Sequence, residues 1–315
     1  MLRFAVRRIV SMVLVLFAIS VLTFLIFQAI PNGDPAQRLA GRTATPETVE
    51  AIRRTWGFDK PIYDQYLLTM RHIFTGDVVS YTQQVNVVDE VVQDLPPTLS
   101  LAAGAGVIWL LLGVALGLLT AARAGGLADR GFTILALIGV STPVFLLGAV
   151  LLYVLAYRLR AFPNGGYVGL TVDPVQWLWH MILPWAALST LFIGVYSRVL
   201  RANVLDALGE DYVRMARAKG VGERGILVHH ALRSSIIPVV SLWGLDFAAA
   251  VGGGAILTES VFNLHGVGQY AAQSIGQLDV PPVLVIVMLG SFFVVAMSAV
   301  TDILLALIDP RIRLA

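Results

Sequence analysis

Six stretches of the chain run for more than twenty residues with almost no charge: Ile9–Ile30, Leu99–Ala122, Phe132–Tyr157, Val175–Tyr196, Ser235–Thr258 and Val283–Ile308. A helix needs about 20 apolar residues to cross the hydrocarbon core of a bilayer, so each is long enough to do so. Only Asp246 and Asp302 place an acid inside them. Pro143 and Pro184 fall within the third and fourth, where neighbouring helices can satisfy the backbone groups that proline frees. Composition agrees: 57% of the 315 residues are hydrophobic and 13% charged, against about 25% charged in a soluble domain. The expectation is an all-α membrane protein with about six transmembrane helices.

The first run follows Arg3, Arg7 and Arg8, as a secretory signal would. It is longer than the roughly 7–15 apolar residues of a signal, and "FQAIPNGDP" offers no small-residue cleavage site, so it reads as a retained helix. Lysine and arginine set the orientation. They concentrate in 1–8, 123–131, 197–234 and 309–315, whereas the short loops of the opposite side carry only Arg158 and Arg160. By the positive-inside rule both termini are expected in the cytoplasm; the 31–98 segment is long enough to escape the rule.

Several chemistries drop out. There is no cysteine, hence no disulfide, thiolate metal site or cysteine nucleophile. Neither Lys60 nor Lys219 precedes Ser or Thr, so the chain has no phosphate-cradling P-loop. His72, His180, His229, His230 and His265 include no pair at the helical i, i+4 spacing of a metal site. A net charge of +2 is too mild to argue for nucleic acid.

Two segments outside the apolar runs have structure of their own. In 31–98, Thr45 can cap a helix, Pro46 suits its first turn and Gly57 ends it; a second helix follows with Tyr63, Tyr66, Leu67, Met70 and Ile73 along one face. This small extracytoplasmic helical segment reads as a cap on the helix ends, a docking surface, or both. In 197–234, Leu205, Leu208, Tyr212 and Met215 recur at helical spacing, then Gly220, Gly222 and Gly225 arrive together and a second helix begins near Glu223. A bare reversal needs only a few residues, so helix, tight turn, helix here implies a purpose. An amphipathic hairpin lying on anionic lipid is the plainer reading.

At this hairpin the chain resembles the permease subunits of binding-protein-dependent ABC importers, and within them the B-type subunit of the dipeptide/oligopeptide permease family. Their generic signature runs Glu-Ala-Ala, three residues, Gly. With the glycine on Gly220, Arg214, Met215 and Ala216 take the first three places, and only Ala216 agrees. The subgroup's form is closer: "EDYVRMARAKG" followed by "HALRSSIIP" resembles it, as do "GFDKPIYDQY", "LPPTLSLA", "FPNGGY", "SVFNLHGVGQ" and "ALIDPRIR" elsewhere. Asp246 departs from it, standing where a neutral residue is expected.

The resemblance implies a type I ABC importer permease fold of six spans, with 1–30 a cytoplasmic tail and first helix, 31–98 extracytoplasmic, and 99–315 a five-helix core whose loop 197–234 couples to ATPases. It implies a bacterial inner-membrane protein paired with a second, homologous permease, two cytoplasmic ATPases that hold ATP and Mg, and an extracytoplasmic substrate-binding protein, in contact with lipid and without a cofactor of its own. Peptides are the expected cargo, with nickel, glutathione or a sugar as alternatives. The coupling residues it implies are Ala216, Arg217, Lys219, Gly220, Gly222 and Glu223: the glycines for the turn, Ala216 for close packing, the charges for contact with ATPase or lipid. Asp246 is the candidate for the translocation path, because an acid deep in a span is costly unless paired or wet; a structural hydrogen bond is its other reading. An intramembrane aspartyl protease using Asp246 and Asp302 is the enzyme alternative, and a secondary transporter the other.

Overall fold

In a computed structural model the described residues are 2–29, 34–40 and 45–308. The segment 309–315, with the arginines expected to mark the C-terminal end, and Ile30 at the end of the first run lie outside them. Every regular element among the described residues is helical: α1 (Leu2–Ala29), α2 (Pro35–Ala40), α3 (Pro46–Trp56), α4 (Ile62–Thr75), α5 (Val87–Ala122), α6 (Leu127–Ser141), α7 (Val144–Leu151), α8 (Pro174–Leu208), α9 (Asp211–Ala218), α10 (Glu223–Gly225), α11 (Leu232–Ala249), α12 (Ile256–Phe262), α13 (Val267–Gly276) and α14 (Val280–Ile308). Wider π-type turns extend α7 over Leu152–Arg158, join α10 to α11 over Ile226–Ala231, and follow α11 over Ala250–Gly254.

Each apolar run lies on helix. Helices α5, α8 and α14 and the rod Glu223–Gly254 are each long and apolar enough to cross a membrane, and α1 contains the shorter apolar stretch Val10–Ile26. The third run differs from expectation. It is not one straight span but two helices, Leu127–Ser141 and Val144–Arg158, bent by 99°. The bend is at Pro143: the residue before a proline is pushed out of the helical region, and Thr142 is extended (φ −85°, ψ 122°). Pro184, by contrast, is carried inside a continuous α8. Three other helices outrun their apolar cores: α5 starts at Val87, α8 continues to Leu208, and the fifth span begins at Glu223. Polar residues there ride on helix, so the loop expected over 197–234 contracts to 209–222.

The chain forms two compact units. One comprises Met1–Thr98, Val251–Ile256 and His265–Val295. In it Thr45 accepts from the Thr48 backbone N–H and Gly57 closes α3 in the left-handed conformation (φ 70°). The face expected on α4 divides. Met70, Tyr66 and Ile73 pack inward with Phe24 of α1 and Leu284 of α14, whereas Tyr63 and Leu67 point outward. The Tyr66 hydroxyl also meets Ser20 Oγ at 2.7 Å. A second cluster joins Val78, Val87 and Val91 to Val267, Tyr270 and Ile286. Asp279, almost wholly buried, accepts hydrogen bonds from the Ser80 hydroxyl and from the backbone N–H groups of Tyr81 (3.0 Å) and Thr82 (3.1 Å).

The other unit comprises Leu99–Ala250, Leu257–Leu264 and Ala296–Ala315. Here α8 packs against α6, α7 and α11. It also approaches α5 closely, because a Cβ on Gly117 would lie 2.8 Å from the Ser197 carbonyl oxygen and one on Gly113 2.6 Å from Tyr196 Cβ. Small residues let membrane helices meet at backbone distance. Trp109, fully buried, fills the same seam, 4.4 Å from the Phe192 ring and edge-on to Tyr196.

Candidate functional site

The 209–222 segment is a compact knuckle between two long helices. Leu208 ends α8, Gly209 turns, and α9 follows for eight residues with Asp211 in its first turn and Arg217 in its last, each charge suited to its end of the helix dipole. The stripe expected through Leu205, Leu208, Tyr212 and Met215 therefore does not lie on one helix; the break at Gly209 resets the phase. On α9 the buried positions are Val213 and Ala216, while Tyr212 and Met215 are exposed, Met215 by 61%.

The turn after α9 is a Schellman closure. Gly220 N–H donates to the Arg217 carbonyl (2.9 Å) and Val221 N–H to that of Ala216 (3.2 Å), with Gly220 at φ 82°. Gly222 is extended (φ −66°, ψ 153°) and starts the next helix, its carbonyl accepting from Ile226 N–H. From Glu223 the chain stays helical through Ala249, so the second helix of the hairpin continues directly into the fifth span.

Three kinds of contact stiffen the knuckle. Val213, Ala216 and Ile226 form a small core with Leu208 and Val221; burying a side chain such as valine or isoleucine contributes about 1.5–3 kcal/mol. The Arg217 guanidinium donates to both oxygens of Glu223, at 2.8 and 3.2 Å, closing the turn from outside. That carboxylate pushes the Arg217 pKa further up, so the group stays charged. The Tyr212 hydroxyl meets Ser234 Oγ at 3.1 Å and ties α9 to α11. Of the six residues implied to couple, Ala216 is packed inside, Gly220 and Gly222 shape the turn, Arg217 and Glu223 hold each other, and Lys219 is exposed. Sequence reasoning missed Val213 and Ile226, whose burial needs the hairpin closed.

Asp246 lies elsewhere, half-buried on α11. The Tyr196 hydroxyl of α8 donates to its Oδ2 at 2.7 Å. One turn away, Trp243 Nε1 donates to the Gly106 carbonyl of α5 (3.0 Å). The acid thus sits where α5, α8 and α11 meet, in the last turn of α11. Tyr196 as its partner carried no signal in the sequence, being fifty residues away and inside an otherwise apolar run.

Residues 113–314 match the family described as binding-protein-dependent transport system inner membrane component, and residues 1–102 match that system's membrane-component N-terminal family. The chain belongs to this permease family. Among its relatives are a probable peptide ABC transporter permease of Sinorhizobium fredii, 35% identical over 98% of this chain and 99% of that one. A dipeptide transport system permease protein of Lactococcus lactis is 33% identical over the full length of both. A glutathione transport system permease protein of Escherichia coli is 35% identical over 99% of each. The permease is therefore a multi-pass inner-membrane subunit that works in a complex with other subunits, and it is not an enzyme. The protease reading of Asp246 and Asp302 falls with that, as does the secondary transporter.

Proposed function

We propose that the chain forms half of the translocation path of an ATP-driven importer of di- or oligopeptides, and that the 209–222 knuckle receives the stroke of cytoplasmic ATPases. The observation that carries the reading is the continuity of the knuckle with two long helices: α8 enters it and the Glu223–Gly254 rod leaves it, with a packed core between. A partner shifts a conformational equilibrium only through contacts that differ between its states. A knuckle that holds its own shape passes displacement to both helices instead of absorbing it. Gly220, Gly222, Ala216 and the Arg217–Glu223 pair keep that shape, and Lys219 with exposed Tyr212 and Met215 is the surface offered to an ATPase.

In this reading the knuckle, both termini and most of the basic residues are cytoplasmic, and the 31–98 segment faces the substrate-binding protein. A second, homologous permease completes the path, and ATP and Mg are held by the ATPases. The full-length likeness to peptide and dipeptide permeases supports peptides as cargo. Asp246 takes the cationic end of the substrate, since one oxygen is held by Tyr196 and the other accepts no hydrogen bond from the described residues. The relative named for glutathione supports a second reading, a small peptide-like solute of net negative charge, which Asp246 would disfavour.

Purifying the tagged chain from its host tests this. An ATPase and a second permease should come with it, and substrate-loaded binding protein should raise ATP turnover of the reconstituted complex. A chain that transports alone in liposomes would overturn the proposal.

A further inference from the structure

Between α5, α6 and α8 lies a groove of about 210 Å³. Leu116, Phe132, Leu135 and Ile193 wall it. Four hydroxyls also line it, and three are turned back on their own helix: Thr120 donates to the Leu116 carbonyl (2.8 Å), Thr190 to that of Ala186 (2.6 Å) and Ser197 to that of Gly194 (3.3 Å). Apart from the fourth, Thr133, and the arginines at one end, what remains facing the groove is hydrocarbon. Along α8 it extends from Thr190 to Arg201, eleven residues or about 16 Å, close to the roughly 15 Å that one leaflet contributes to the hydrocarbon core.

The groove ends in two arginines, on the side of α8 nearest the knuckle. Arg201 is spoken for: its Nε and Nη2 donate to the two oxygens of buried Asp129, both at 2.7 Å. Arg198 is not. Its Nε donates to the carbonyl of Gly194, itself part of the groove wall (3.0 Å), and no carboxylate among the described residues pairs with its terminal nitrogens. That bond holds the guanidinium over the groove mouth. The two arginines of this mouth thus meet a single carboxylate among the described residues, that of Asp129.

We propose that the groove holds one acyl chain of an anionic phospholipid, with the lipid phosphate on the Arg198 guanidinium. A guanidinium presents paired donors that match phosphate oxygens, and basic pockets between membrane helices favour anionic headgroups. A zwitterionic lipid brings its own cation to a mouth already net positive, which gives the preference its sign. The proposal needs only the groove and the membrane, and holds whatever the transported solute is.

The test uses the permease within its purified complex, in nanodiscs of mixed phosphatidylglycerol and phosphatidylcholine, with native mass spectrometry reading the retained lipids. Phosphatidylglycerol should be retained about fivefold over its share of the bilayer, the factor for one basic residue at a membrane surface. Arg198→Gln should abolish the preference, Arg198→Lys keep part of it, and Leu135→Trp, which fills the groove, lower retention of both lipids. Arg224→Gln, remote from the groove, should change nothing. Equal retention of the two lipids, or a preference that survives Arg198→Gln, overturns the proposal. So does Leu135→Cys, which introduces the chain's only thiol, if a photoactivatable maleimide attached to it cross-links to the second permease, for then a protein helix occupies the groove. Each variant's complex is checked by its sedimentation profile; should Leu135→Trp fail to assemble, the Arg198 pair alone decides.

Discussion

Tyr196 gives its hydroxyl hydrogen to Asp246 at 2.7 Å, so the one acid of the fifth apolar run is tied to the fourth. Interhelical hydrogen bonds in membranes average about 0.6 kcal/mol and reach about 1.7, and a charged acceptor belongs at the upper end. Tyr196→Phe is expected to lower the thermal stability of the detergent-purified complex by about 1–2 kcal/mol. Asp246→Asn keeps an acceptor oxygen and should cost less. In transport assays Asp246→Asn should lose peptides with a free N-terminal amine more than their N-acetylated forms; equal loss of both would leave the acid a purely structural part.

Gly220 sits at φ 82° with open space where a Cβ would go, so its cost of substitution is all backbone. An L-residue in the left-handed region costs about 1–2 kcal/mol. Gly220→Asn should be tolerated best and Gly220→Ala next, both with receptor-stimulated ATP turnover measurable. Gly220→Pro, whose φ is locked near −65°, should insert and assemble yet leave turnover at its unstimulated rate. Full stimulation in that variant would detach the turn from coupling.

Arg217 and Glu223 are both exposed, so breaking their pair should leave thermal stability unmoved and act on coupling instead. Arg217→Glu and Glu223→Arg should each weaken stimulation, and the double exchange should restore it. High salt should weaken the unmodified complex in the same direction, since exposed pairs are screened. A double exchange as poor as either single would assign these charges to the ATPase surface rather than to each other.

At Gly117 a Cβ would press on the Ser197 carbonyl oxygen and on Leu200. Overpacking of this kind costs about 1–3 kcal/mol. Gly117→Ala should lower the unfolding temperature. Gly131→Ala, where nothing lies within 4 Å of the new atom, should not.

Asp279 gathers one hydroxyl and two backbone N–H groups from 80–82. Asp279→Asn loses the charge and one acceptor oxygen, and should destabilise by about 2 kcal/mol. Proteolysis should then cut first within 76–86; an unchanged cleavage pattern would show that the loop is held by other contacts.

Elements whose cause is local were readable in the residues. Thr45, Pro46 and Gly57 bound α3 as expected, because capping and left-handed termination act within a few residues. Apolar length alone placed helix under all six runs. What failed were features decided at a distance. Pro143 and Pro184 look alike in sequence, yet one bends the chain by 99° and the other does not. The outward-facing Tyr63 and the inward-facing Tyr66 differ only in which side of α4 meets Phe24 and Leu284.

By itself the sequence determined that this is a chain of membrane-length helices with a glycine-pinched knuckle, since hydrophobic length and backbone freedom belong to individual residues. Only the tertiary structure decided that Val213 and Ile226 close that knuckle, that Asp246 answers to Tyr196, and that Arg198 meets no acid among the described residues while Arg201 has one. Those are choices of partner, and partners far apart in the chain are chosen by packing, which no local pattern encodes.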